Sequence, residues 1–98
     1  MAETTVTAGP TPGASGSAKV TVRLFAGARA AAGTSQTVLE VPGDALVETV
    51  LDALVAGHPG VARVLPACSF LLDGVATRAG QELGTGRTFD VLPPFSGG

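Results

Sequence analysis

One stretch of this sequence has the length and periodicity of a full amphipathic helix, and it lies between segments that alternate like strands. Between residues 46 and 55, apolar side chains recur at helical spacing and polar side chains occupy the opposite side. Gly57 and Pro59 are expected to end this helix, and Asp44 is placed to cap its start. The apolar positions are Leu46, Val47, Val50, Leu51, Leu54 and Val55. With one long helix available, the chain can cover one face of a sheet.

Two alternating segments precede the helix. Residues 19–25 alternate between apolar side chains on one face and larger or polar side chains on the other, which predicts a strand. A second strand is predicted for residues 36–41, and the connection at residues 27–33 reads as an alanine-rich helical turn closed by a glycine. The inward side chains of the first strand are Val20, Val22 and Leu24, and the outward ones are Thr21, Arg23 and Phe25.

Three shorter strands are predicted after the helix, at residues 68–72, 75–77 and 88–92. Two strands, a helix and three strands in this order indicate an α+β fold, in which a mixed sheet carries one main helix packed on one face. This is the β-grasp, or ubiquitin-like, architecture. Its first and last strands are neighbours in the centre of the sheet.

The two ends of the chain differ in composition from the middle. Residues 1–17 hold Thr, Ala, Gly, Pro and Ser with Glu3 as the one charged side chain, too little apolar area to offset the entropy of ordering them. We therefore expect a disordered N-terminal tail over residues 1–17, a β-grasp domain over residues 18–92 and an extended diglycine tail over residues 93–98.

Composition and charge exclude several partners. The 98 residues suffice for one domain, and the net charge of −2 comes from scattered charges that form no basic patch. Without Trp or Tyr the chain has little aromatic surface for stacking bases, so we expect no nucleic acid partner. No apolar run reaches the roughly 18 residues that cross a bilayer. The sequence thus predicts a cytoplasmic protein with no membrane partner.

The reactive residue types are too few for a familiar catalytic or metal site. The chain has one cysteine and one histidine, whereas a zinc site needs about four ligands, so we expect no metal. Cys68 lies on an apolar strand and is expected in the core, and His58 is expected to be exposed at the end of the helix. The glycines at positions 80, 84 and 86 lack the lysine of a phosphate-binding loop.

The last residues carry the remaining chemical signal. Pro93 and Pro94 follow the last strand directly, and because proline donates no hydrogen bond to a sheet, the tail should project outward. Gly97 and Gly98 have no side chains and can thread a narrow channel of a partner as far as the terminal carboxylate. Once a partner converts that carboxylate to an acyl-adenylate, a sulfur donor can attack it. The alternative is an ordinary chain end with two glycines.

Phe25 and Leu92 form a candidate docking patch. Alternation places them on the outward faces of the first and last strands, side by side and close to where the tail departs. The alternative is that the helical turn after Gly27 covers them. Arg29 and Arg23 can meet an acidic partner or remain solvated on the surface.

These residues resemble the MoaD/ThiS family of ubiquitin-like sulfur carriers, and within it most of all the small subunits of molybdopterin synthase. The similarity covers residues 20–98. The chain departs from the family in the first 17 residues and at Ala76, where the family often has a larger apolar side chain. The similarity rests on Leu24-Phe25-Ala26 followed by Arg29 and Gly33, and on Leu92-Pro93-Pro94 with a terminal Ser96-Gly97-Gly98.

The resemblance implies a non-catalytic carrier subunit that binds no cofactor and is a monomer when free. A MoeB-like, E1-like adenylyltransferase would use ATP to adenylate Gly98, which would then become a thiocarboxylate. A MoaE-like large subunit would use that sulfur to form the dithiolene of molybdopterin, the organic part of the molybdenum cofactor. The other implied site residues are Gly97, Ser96, Phe95, Pro94 and Pro93 for threading, and Phe25, Leu92 and Arg29 for the partner interface.

Related proteins have similar tails, so the tail does not identify the pathway that receives the sulfur. Related carriers supply sulfur for thiamine, cysteine, tRNA or natural products. Other relatives are ubiquitin-like modifiers that are attached to lysines of other proteins.

Overall fold

The computed structural model describes residues 16–94, and this part of the chain forms five strands and two helices. The elements match the predicted order, with boundaries shifted by a few residues at most. The strands are β1 (Ser17–Leu24), β2 (Gln36–Pro42), β3 (Ser69–Leu72), β4 (Val75–Thr77) and β5 (Thr88–Leu92). The helices are α1 (Ala26–Ala32) and α2 (Val47–Gly57), and two 3-10 turns, Pro59–Arg63 and Leu65–Ala67, connect α2 to β3.

The strands form one mixed sheet in the order β2-β1-β5-β3-β4. The central strands β1 and β5 are parallel, with Val22 opposite Phe89 and Leu24 opposite Val91. All other neighbouring pairs are antiparallel. A parallel pair needs a long crossover, which here contains α2. This topology, with the main helix on one face, is the β-grasp fold that the sequence predicts.

The core lies between the sheet and α2, as the two periodicities predict. Val20 and Val22 of β1 are fully buried, and so are Val50 and Leu54 of α2. Phe89 of β5 is also fully buried and stacks on Phe70, with ring centroids 5.4 Å apart. Burying a side chain of this size stabilises the fold by about 1.5–3 kcal/mol. The side chains in these contacts define the inward face of each strand, and the opposite face lies outside this core.

The start of α2 differs from the prediction that Asp44 caps it. The helix begins at Val47, and no side chain caps it. The backbone N–H groups of Val47 and Glu48 instead donate to the carbonyl oxygens of Gln81 and Ala79, each at 2.8 Å. A distant loop therefore satisfies the free donors that a helix leaves at its first turn. Asp44 lies in the preceding turn.

The first strand begins earlier than the predicted start at Lys19. Ser17 pairs with Pro42, and its hydroxyl donates to Glu40 Oε2 at 2.8 Å. Ser17 thus belongs to the sheet, although the composition of residues 1–17 predicts a disordered tail that includes it. The carbonyl oxygen of Gly16 accepts the N–H of Gly43 at 2.7 Å, and residues 1–15 of the predicted tail lie outside the described residues.

The alanine-rich turn between β1 and β2 is α1, and it ends as predicted. Gly33 adopts a left-handed conformation at φ 81°, and its N–H donates to Arg29 O at 2.9 Å. Glycine adopts this conformation without a steric penalty, which makes it a common last residue of a helix. Ala28 is the residue through which α1 enters the core.

Between residues 16 and 94, neither α1 nor α2 is long and apolar enough to cross a membrane.

Candidate functional site

One face of the sheet carries both helices, and within residues 16–94 the opposite face carries none. Ala28 of α1 and Leu54 of α2 pack in the same core as the inward side chains of β1 and β5. On the other side, Val38 and Phe25 keep 56% and 38% of their surface exposed. We call this side the outward face. Its side chains include Lys19, Thr21, Arg23, Phe25, Gln36, Val38, Glu40, Ser69, Leu71, Thr88, Asp90 and Leu92.

Phe25 and Leu92 come together at one end of the outward face. The parallel register pairs Leu24 with Val91, which brings the next residues, Phe25 and Leu92, to the same end of the two central strands. The N–H of Phe25 donates to Val91 O at 3.3 Å and holds this end of the chain against β5. Leu92 is half-buried. The helical turn of α1, which begins at Ala26, leaves Phe25 substantially exposed.

Arg23 and Asp90 form an ion pair in the middle of the outward face. They lie opposite each other on β1 and β5. Arg23 Nε donates to Asp90 Oδ1 at 2.6 Å, and Arg23 Nη2 donates to Asp90 Oδ2 at 2.8 Å. The side chain of Asp90 is 6% exposed and that of Arg23 is 48% exposed. The hydrogen bonds and the charge of Asp90 raise the pKa of Arg23 above its already high ordinary value.

The sequence places Arg23 and Asp90 on the outward face but does not pair them. The missing signal is the register of the two central strands, because the residues are 67 positions apart in the chain. Asp90 lies between the apolar residues Phe89 and Val91. A carboxylate in such a strand is the local sign of a positively charged partner.

Arg29, the third predicted interface residue, lies on the exposed side of α1. Its backbone N–H donates to Phe25 O at 3.3 Å, so it sits one helical turn beyond Phe25. Two arginines, Arg23 and Arg29, therefore flank Phe25 along the chain.

The predicted threading segment begins at this same end of the sheet. β5 ends at Leu92, and Pro93 and Pro94 continue the chain outside the sheet, as expected for residues that lack an N–H. Pro94 is exposed and Pro93 is half-buried. The remaining predicted site residues lie outside the described residues: Phe95, Ser96, Gly97 and Gly98.

Cys68 and His58 do not assemble a nucleophilic site. The thiol of Cys68 donates to Val64 O at 3.1 Å, and burial raises its pKa, which disfavours the reactive thiolate. His58 is half-buried rather than exposed as predicted, because its Nδ1 lies 3.2 Å from Ala32 O at the end of α1. In the described part of the chain, no group of three or more His, Cys, Asp and Glu side chains could hold a metal ion.

Comparison with known proteins gives a consistent set of relatives. The sequence pattern of the ThiS family matches residues 22–98. The chain is 30% identical over 82 residues to a molybdopterin synthase sulfur carrier subunit of Chlamydomonas reinhardtii, covering 82% of this chain and 99% of the relative. It is 32% identical over 84 residues to small archaeal modifier protein 1 of Haloferax volcanii, covering 78% of this chain and 97% of the relative.

The three-dimensional comparison agrees with the sequences. A crystal structure of the Haloferax volcanii modifier superposes with a TM-score of 0.74 at 33% identity. The match covers 82% of this chain and 99% of that chain.

Proposed function

The chain belongs to the ThiS family of small ubiquitin-like sulfur carriers, and we propose that its Gly98 carboxyl group carries sulfur as a thiocarboxylate. The observation that supports this most is that the family match extends through the Pro-Pro-Phe-Ser-Gly-Gly ending to Gly98 itself. Members of this family act as carriers rather than catalysts, so the enzymes that load and unload the sulfur are the partners of this chain.

The chemistry at Gly98 proceeds in two substitutions. A carboxylate oxygen attacks the α-phosphorus of ATP, pyrophosphate leaves, and an acyl-adenylate forms. Sulfur at the oxidation level of sulfide then attacks the carbonyl carbon, and AMP leaves with the bonding electrons. The first step is needed because a carboxylate is a poor electrophile, whereas AMP is a good leaving group. When the thiocarboxylate later gives up its sulfur, an oxygen from water restores the carboxylate.

The tail suits delivery into a narrow active site. Gly97 and Gly98 lack Cβ atoms, so a channel that admits bare backbone can exclude other chain ends. Ser96, Phe95, Pro94 and Pro93 form the rest of the threading segment. The two prolines restrict the backbone where the segment leaves β5, which lowers the entropy lost when it enters a partner.

The docking site on this chain is the end of the outward face at which the tail begins. Phe25 and Leu92 supply the apolar contact, and Arg29 supplies a charge at its edge. Because docking here puts the tail next to the partner, the same patch serves both an E1-like, MoeB-like activating enzyme and a MoaE-like synthase large subunit. The carrier itself needs no bound cofactor, and ATP belongs to the activating enzyme.

The pathway that we propose first is molybdopterin synthesis. Its support is the 30% identity to a relative named as a molybdopterin synthase sulfur carrier subunit, with 99% of that relative covered. The test is a reconstituted reaction in which the thiocarboxylated protein, a synthase large subunit and the cyclic pyranopterin precursor are mixed. Formation of the dithiolene supports the assignment, and sulfur that stays on the carrier contradicts it.

A second candidate function is that of a ubiquitin-like modifier. The relative from Haloferax volcanii is named as a small archaeal modifier, and its identity to this chain is 32%. In this function, the amine of a lysine on another protein attacks the activated Gly98 carbonyl and forms an isopeptide bond. The carrier and modifier functions share the activation step and differ in the nucleophile.

Intact mass spectrometry of the protein purified from its own cells distinguishes the two functions. Replacement of one oxygen by sulfur at Gly98 supports the carrier, and lysine-linked conjugates that end in Gly97-Gly98 support the modifier. A protein that has neither form under any growth condition contradicts both.

A further inference from the structure

The ion pair in the middle of the outward face joins a buried carboxylate to a half-exposed guanidinium. Asp90 is 5% exposed at the centre of the sheet, and removing a carboxylate from water is unfavourable unless it is fully paired. Arg23 is half-exposed, and an ion pair with a solvent-exposed partner contributes little to stability. Stability alone therefore does not account for Arg23 and Asp90 at these two positions.

Asp90 holds the guanidinium of Arg23 in place but uses only some of its hydrogen-bond donors. Arg23 Nε and one N–H of Nη2 donate to the two oxygens of Asp90. A guanidinium group has five N–H donors, so three remain, on Nη1 and Nη2. The side chain is 48% exposed, which leaves these donors accessible from the outward face. Asp90 thus holds the guanidinium in one orientation before anything binds.

Arg23 lies next to the docking end of the sheet, and its cross-strand neighbours on β2 and β5 are Gln36 and Asp90. Its Cζ lies 6.0 Å from the centroid of the Phe25 ring, and Val38 on β2 is exposed on the same face. A protein that covers Phe25 therefore removes water from Arg23 too. Covering the three free donors without supplying an acceptor is unfavourable. A partner can therefore dock here only if it places a hydrogen-bond acceptor opposite Arg23.

We propose that Arg23, held by Asp90, is a specificity-determining docking residue that binds a carboxylate on the activating enzyme. This inference rests on the proposed function, because it names the chemistry of the partner at the same patch. A carboxylate fits because its two oxygens accept the parallel N–H groups of a guanidinium, and such charge-assisted pairs are about twice as strong as neutral hydrogen bonds. Arg29, also exposed and one turn beyond Phe25, places a second positive charge near the docking patch, where it can attract an acidic surface.

The decisive variant is the double substitution Arg23→Leu with Asp90→Leu. It removes one positive and one negative charge, so the net charge stays at −2. It also leaves no unpaired buried carboxylate, so we expect the fold to be retained. Arg23→Lys is the second variant, since it keeps the charge but loses the planar fork. Arg63→Leu, on the exposed 3-10 turn after α2, is the matched control for loss of an arginine elsewhere.

The measurement is carrier-dependent ATP–pyrophosphate exchange by the purified E1-like enzyme of the same organism. For the double variant we expect the KM for the carrier to rise about tenfold, the loss of one charge-assisted hydrogen bond, with kcat unchanged because Gly98 is intact. Arg23→Lys should raise KM as well, and Arg63→Leu should not. The KM of the wild type should also rise with salt more steeply than that of the double variant.

Three results overturn the proposal. The first is a double variant that is folded by circular dichroism and has the KM and salt dependence of the wild type. The second, if the double variant does not fold, is Arg23→Lys with an unchanged KM. The third is a wild-type dimer at assay concentrations that the double variant does not form, because the occupant of the face is then a second copy. If the wild type supports no exchange at all, the proposed function itself fails.

Discussion

Asp73 Oδ1 accepts the backbone N–H of Thr88 at 2.9 Å and thereby ties the turn between β3 and β4 to the first residue of β5. The same oxygen accepts the N–H of Arg87 at 3.1 Å. Asp73 itself adopts a positive φ of 49°, which aspartate tolerates better than most side chains. This contact matters for function because β5 carries Leu92 and leads into the tail.

The Asp73 contact predicts a pH dependence of stability. The hydrogen bonds from Arg87 and Thr88 lower the pKa of Asp73 in the folded protein. Its contribution is therefore fully present above the unfolded-state pKa of about 4 and is lost as the pH falls through the lower folded-state pKa. We expect Asp73→Asn to reduce the loss of unfolding free energy over this acid range. Urea unfolding of both proteins as a function of pH measures it, and parallel curves would contradict the assignment.

Gly86 is a position at which a side chain should not fit. A Cβ atom at Gly86 would lie 2.5 Å from Cγ of Leu72 and 2.6 and 2.8 Å from its methyl carbons. We expect Gly86→Ala to lower the free energy of unfolding by about 1–3 kcal/mol, as overpacking does. Gly80→Ala is the matched control, because nothing lies near its Cβ, and it should change stability by less than about 0.5 kcal/mol.

The clash at Gly86 can be tested further by making room. Leu72→Ala removes the atoms that a Cβ at Gly86 would meet. In a double-mutant cycle, Gly86→Ala should therefore be less destabilising in the Leu72→Ala background than alone. Additive effects would show that the cost of Gly86→Ala has another origin.

Phe25 and Phe89 offer a matched comparison of the two faces of the sheet. Phe89 is fully buried and Phe25 is 38% exposed. We expect Phe89→Ala to lower the free energy of unfolding by about 3–5 kcal/mol. Phe25→Ala should cost less stability and mainly raise the KM for the activating enzyme. Equal losses of stability would place Phe25 in the core and remove it from the proposed docking patch.

The terminal glycine should matter for chemistry and not for folding. We expect deletion of Gly98 to lower carrier-dependent pyrophosphate exchange at least about 100-fold, because the reacting carboxylate is then one residue short of its position. The thermal unfolding midpoint should match that of the full chain, since the core of residues 16–94 is unchanged. Exchange at the rate of the full chain would exclude Gly98 as the site of adenylation.

The elements of this fold follow from local patterns in the sequence. Alternation in β1 and the helical period of α2 each arise from neighbouring residues, and they correctly predict that Val22 and Leu54 are buried. Gly33 is likewise recognisable as a helix end because its left-handed conformation is a property of one residue. The diglycine ending and its proposed chemistry are also legible without a structure, since they depend on the absence of side chains.

Contacts between distant segments are decided by the tertiary structure. Asp44 has the side chain of a helix cap, yet the carbonyl oxygens of Ala79 and Gln81 cap α2 because a loop far along the chain packs there. His58 is half-buried because the end of α1 lies against it and against the 3-10 turn that follows α2. The pairing of Arg23 with Asp90 depends on the register of two strands 67 residues apart. Local periodicity predicts the face of a strand on which a side chain lies. Its neighbour on the adjacent strand depends on how the whole sheet assembles.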